Sequence, residues 1–120
     1  MTAADIDVVR LWCREQAPQA GGAPGRVEPL VTGRHIDLVV VAPGASGAES
    51  RTPFARLRYV NFGRSRYLGG AGWQLYWRDA EGTFRVYRHL AASGQVRDLL
   101  DFLTRDRDPL FWPDLPDAEG

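Results

Sequence analysis

The chain has 120 residues and a formal net charge of zero. Its hydrophobic share of 44% and charged share of 25% match a folded globular domain and exclude an intrinsically disordered chain. The neutral total excludes a strongly basic chromatin-type protein, and the length is too short for two comfortable domains. A single domain over residues 1–120 is expected, with an ordered core from about residue 5 to about residue 112 and fraying beyond Pro116.

No apolar run approaches the roughly 18 residues needed to span a bilayer, so no membrane partner is expected. The acidic start around Asp5 and Asp7 does not resemble a signal peptide. Cys13, the single cysteine, rules out an internal disulfide framework and fits a reducing, cytoplasmic setting. All 15 cationic residues are arginines. This bias reads most simply as genome base composition. It also excludes Schiff-base chemistry and a P-loop lysine.

In chain order, Asp5 to Ala17 has helical spacing. Ile6, Val9, Trp12 and Cys13 share one arc, Val8 and Leu11 widen it, and Pro18 ends it. Gln19 to Gly25 reads as a loop. Arg26 to Thr32 is a weak strand that Pro29 demotes towards a sheet edge, and Gly33-Arg34 is a turn. His35 to Ala42 is β-branched, with Ile36, Leu38 and Val40 on one face and Asp37, Val39 and Val41 on the other. Apolar residues on both faces predict partial cover on each side. Pro43 to Ser50 reads as a flexible connection.

Phe54 to Phe62 alternates Ala55, Leu57 and Tyr59 against Arg56, Arg58 and Val60. Trp73 to Arg78 alternates Trp73, Leu75 and Trp77 against Gln74, Tyr76 and Arg78. Asp79 to Gly82 supplies a hairpin turn. Thr83 to Leu90 then places Phe84 and Val86 opposite Arg85, Tyr87 and His89. Finally, Val96, Leu99, Leu100 and Leu103 mark a helix, with Ser93 as its N-cap and Asp108-Pro109 as its stop. Phe111 and Trp112 are expected to pack back on the core. The fold class is α+β: an antiparallel meander of about five strands flanked by an N-terminal and a C-terminal helix, in two layers.

The blocks Pro53 to Val60, Trp73 to Asp79 and Phe84 to Tyr87, with the ending Asp108-Pro109-Leu110-Phe111-Trp112, resemble a family of small bacterial proteins of unknown function. Its members read roughly as an "ARFRYV" strand, a "WxLYWRD" strand, a "WxxY" strand, a leucine-rich helix and a terminal Asp…Phe-Trp-Gly. Phe84 stands here for the third block's tryptophan and Pro113 for the final glycine. The resemblance covers most of residues 5 to 112 and implies no activity, cofactor or site.

Charge is unevenly spread. Residues 51–90 hold eight arginines and two acids, whereas residues 1–50 hold four arginines and six acids, and residues 91–120 three arginines and seven acids. If the three central strands pair in sequence, Arg56, Arg58, Gln74, Tyr76, Arg78, Arg85, Tyr87 and His89 share one face, extended by Arg64 and Arg66 in the following loop. Guanidinium forks suit phosphates and tyrosine rings suit bases, so a nucleic-acid backbone is one expected partner. Three other readings stay open. The face is simply solvated, or it is covered by acids from Asp98, Asp101 or Asp106, or it docks a protein. The protein partner includes a second copy that pairs the sheet face or an edge strand with its acidic C-terminal part.

Other chemistry is sparse. Leu68-Gly69-Gly70-Ala71-Gly72 lacks a phosphate loop's ending and precedes a strand. His35, Asp37 and His89 are the residues a small enzyme could use. Two histidines and one cysteine make a zinc site improbable, and no cofactor is expected. Cys13 reads as a buried residue and not as a nucleophile. The four tryptophans read as core and not as an aromatic cage. The expected function is a non-enzymatic binding module.

Overall fold

The computed structural model describes residues 2–16, 19–20, 23–43, 47–61 and 71–105, with only the backbone described at 19–20, 23–24 and 61. The order is α1 (Ala3–Glu15), β1 (Gln19–Ala20), β2 (Ala23–Pro24), β3 (Arg26–Thr32), β4 (His35–Pro43), β5 (Glu49–Asn61), β6 (Ala71–Arg78), β7 (Phe84–Val86) and α2 (Val96–Arg105). Strands β3 to β7 form one antiparallel sheet in sequence order, and β1 pairs with β2 separately. The sheet is open, with a helix from each end of the described chain, so the fold is the expected α+β.

Helix α1 starts at Thr2, whose side chain accepts from the Asp5 amide while the Asp5 carboxylate accepts from the Thr2 amide. This reciprocal cap satisfies two otherwise orphaned donors. Val9, Trp12 and Cys13 point inward from α1, and Val96, Leu99, Leu100 and Leu103 from α2. They meet Val27, Ile36, Leu38, Val40, Leu57, Trp73 and Leu75 in one core on one side of the sheet. Trp12 Nε1 donates to Thr104 Oγ1 at 2.8 Å, which ties the helices together. Each fully buried leucine contributes roughly 1.5–3 kcal/mol relative to exposure.

Gly33 takes φ 53° in the two-residue turn that pairs Thr32 with His35. That conformation suits glycine. Strand β5 begins at Glu49, inside the segment expected to be a flexible connection. Its long ladder with β4 shifts register between Leu38 and Val39, which face Ala55 and Pro53. Phe54 is the extra residue. This bulge turns Phe54 into the core, where it is 2% exposed, although simple alternation would send it outward.

The second departure is at β7. The expected turn ended at Gly82, but five residues separate Arg78 from its partner Phe84. One added loop residue exchanges the two faces of the following strand. Phe84 and Val86 therefore join Tyr76 and Arg78, while Arg85 pairs with Trp77 on the helix side. The strand also ends at Val86, not Leu90. Tyr87 and Ser93 return to β6 through bonds to Leu75 and Trp73. Because the Ser93 backbone is held by β6, α2 begins later than expected. Ser93 Oγ instead accepts from the Gln95 amide and donates to Asp98.

Candidate functional site

The face of the sheet turned away from the helices has two halves. In the first, Arg26 and Arg51 flank Val41, and Glu28 flanks Val39. Arg51 on β5 reaches over β4 to Glu28 on β3 at 2.8 Å. Arg26 bonds both Glu28 and Glu49 at 2.6 Å. Beneath this lattice Val39 and Val41 are only 5% and 1% exposed. The aliphatic stems of such arginines cover apolar surface while their heads stay wet. The guanidinium bonds hold the Glu28 and Glu49 carboxyls below the usual carboxylate range. Cations and anions consume each other here.

The second half differs. Asp37, Arg56, Tyr76 and Val86 lie side by side on β4, β5, β6 and β7. The adjacent row is His35, Arg58 and Gln74. Asp37 is 8% exposed and accepts a two-point grip from Arg56, at 2.7 Å from Nε and 3.2 Å from Nη2. The same guanidinium stands over the Phe84 ring, 4.1 Å from its centroid. His35 Nε2 is 3.9 Å from Asp37 Oδ1. The Arg34 carbonyl accepts from the Tyr59 amide at 2.8 Å, which pins the β3–β4 turn beside β5.

Together, Thr32, Gly33, Arg34, His35, Arg56, Arg58, Tyr76 and Phe84 line a groove of about 540 Å³. Three arginines line it, and Asp37, engaged by Arg56, is the acid that faces them among the described residues. Arg34 and Arg58 have no ion pair among the described residues. Such a groove attracts anions.

The expected site residues therefore separate. Arg56, Arg58 and Tyr76 are brought together. Arg78 shares their face but lies along the β6–β7 turn, where a Cβ added at Gly82 would come within 3.1 Å of its guanidinium. Arg85 is on the other face and bonds Asp79 at 2.6 Å, which lowers that carboxyl's pKa. Tyr87 is 4% exposed and packs against Phe102 in the core. Arg85, Tyr87 and His89 line a separate cavity of about 510 Å³ with Trp77, so the structure does not join His89 to His35. Arg64 and Arg66 lie outside the described residues, as do Asp106, Phe111 and Trp112.

Asp98 and Asp101 belong to α2, on the other side of the sheet, and do not cover the groove. Arg34, His35 and Phe84 were not expected in it. A two-residue turn pairs Thr32 with His35 and carries His35 to Arg58, so that part was readable from hairpin spacing. Phe84 was hidden by the turn length.

Cys13 lines a third cavity, of about 550 Å³, beside Arg10, Arg14 and Arg26. Burial, and secondarily the Glu28 charge, pushes its thiol up to about 12, the opposite of an activated nucleophile. No cluster of three metal-binding side chains occurs among the described residues, nor any helix long and apolar enough to cross a membrane.

Residues 2–113 match the model of the family described as Domain of unknown function (DUF3024). The chain belongs to that family. No curated protein and no solved structure matches it. Family membership thus carries no activity to this chain.

Proposed function

We propose that this protein is a non-enzymatic binding module whose open sheet face holds a nucleic-acid backbone. The observation that carries the reading is the contrast between the halves of that face. In one, every arginine is matched by a glutamate. In the other, Arg34 and Arg58 line a groove whose neighbouring acid, Asp37, is already taken by Arg56. Guanidinium forks with no ion pair among the described residues suit phosphate oxygens.

The test is a titration of labelled nucleic acid at low and at moderate salt. Micromolar binding should weaken steeply as salt rises, because phosphate contacts release counterions. Arg58→Ala should weaken binding and reduce the logarithmic salt slope by about 1. Binding that is absent at low salt, or that Arg58→Ala leaves intact, contradicts the reading.

A second reading rests on the edge strand β3, where Leu30 and Val31 are 57% and 37% exposed. Exposed apolar residues on a sheet edge suit a protein partner, including a second copy. Light scattering on the same sample tests the copy: a doubled mass at micromolar concentration, lost in Leu30→Glu, supports it.

A further inference from the structure

We infer that the groove takes its nucleic acid as a single strand, with a base stacked against Tyr76. This rests on the reading above and narrows it from a phosphate backbone to unpaired nucleotides. Three observations carry it. First, the groove's lining is aromatic as well as cationic. Tyr76 sits directly between Arg56 and Val86, and the Arg56 guanidinium is already layered on Phe84 at 4.1 Å. Tyrosine rings and guanidinium planes both accept unstacked bases.

Second, the side chains beside this floor divide the work. Gln74 is two residues from Tyr76 on β6 and directly opposite Arg58. Its amide can donate and accept towards a base edge. Arg58 and Arg34 can take the phosphates on either side. Arg56 is engaged by two bonds to Asp37 and by the Phe84 ring, so it braces the floor and leaves phosphate contacts to its neighbours.

Third, the residues of this floor lie on one face of the sheet, in neighbouring rows of β4, β5, β6 and β7. A duplex is read by an element that enters its groove, such as a helix or a two-stranded ribbon. A duplex also keeps its bases stacked inside and offers such a floor only phosphates. Unpaired bases can lie flat on it.

The experiment compares three labelled probes of about 20 units at low salt: a mixed-sequence single strand, its duplex, and an abasic strand with the same phosphates. The wild-type protein should bind the single strand at least about ten-fold more tightly than either of the others. Tyr76→Leu should erase most of that difference, whereas Tyr76→Phe should keep it. Circular dichroism on each variant shows that it is folded, and the abasic probe tests stacking with wild-type protein alone. If duplex and abasic strand bind as tightly as the single strand, stacking is overturned while the backbone reading stands. If none of the probes binds, both fall.

Discussion

Arg56 and Asp37 face each other across β5 and β4, and their two hydrogen bonds, of 2.7 and 3.2 Å, settle the electrostatics of the open sheet face. The carboxylate is nearly buried while 28% of the arginine side chain stays exposed. The pair is therefore a fixed part of the floor, and Arg34 and Arg58 are the groove's arginines with no ion pair among the described residues.

Removing the Asp37 charge should move stability and affinity in opposite directions. Asp37→Asn weakens a charge-assisted grip and should cost about 1–3 kcal/mol in a denaturant melt. The same change leaves Arg56 uncompensated beside the groove. It should tighten phosphate binding by about 1 kcal/mol, or roughly five-fold. A variant that loses both stability and binding would place Asp37 in direct contact with ligand.

Arg58 should behave in the contrary way. It is exposed and has no ion pair among the described residues, so Arg58→Ala should leave stability within about 0.5 kcal/mol. Leu57, its neighbour in sequence, is fully buried, and Leu57→Ala should cost about 2–5 kcal/mol. Melts of the two variants side by side check the assignment of faces along β5.

The ion-pair lattice over Val39 and Val41 predicts an acid limb. Glu28 and Glu49 are held below the ordinary carboxylate range by Arg26, with Arg51 acting on Glu28 as well. A depressed folded pKa stabilises above the unfolded value, and that contribution is lost as pH falls through the folded value. Thermal stability should therefore be level between about pH 5 and about pH 8 and decline below about pH 4. The groups are largely exposed, so the effect should be small and weakened by salt. Glu28→Gln should flatten the decline. An unchanged decline in that variant would show that other carboxyls set it.

Cys13 predicts the opposite limb. Its folded pKa is raised to about 12, so its contribution is complete below the unfolded value of about 8.5 and is lost as pH rises towards about 12. At about pH 8 the native thiol should react with an alkylating reagent far more slowly than in denaturant. Equal rates in the two states would mean that α1 does not bury it.

Much of the fold was legible because its periodicities are clean. Val9, Trp12 and Cys13 on α1 and Leu99, Leu100 and Leu103 on α2 repeat at helical spacing, and Trp73, Leu75 and Trp77 alternate at strand spacing. The apolar residues on both faces of β4 correctly foretold cover on both sides, although the outer cover at Val39 and Val41 is an ion-pair lattice. What was not legible depends on single-residue insertions. One extra residue in the β6–β7 turn exchanged Phe84 with Arg85, and one in β5 turned Phe54 inward. Alternation shows that a strand has two faces, but the turn before it chooses which is buried. The site was half visible for the same reason. Arg56, Arg58 and Tyr76 follow from β5 and β6, whereas the faces of Arg85 and Tyr87 depend on the length of the β6–β7 turn. Asp37 was visible as a neighbour of His35, yet its grip on Arg56 required the β4–β5 register.

If the groove half of the sheet face is the binding surface, nucleic acid should perturb that half and leave the helices alone. The most direct measurement is an amide chemical-shift map of the isotope-labelled protein during titration with an unlabelled single strand. The shifts should cluster at Arg34, His35, Arg58, Gln74 and Tyr76, with the helices left unmoved. Shifts concentrated on α1 around Arg10 and Arg14, or around Arg88 and His89, would place the site elsewhere and contradict it.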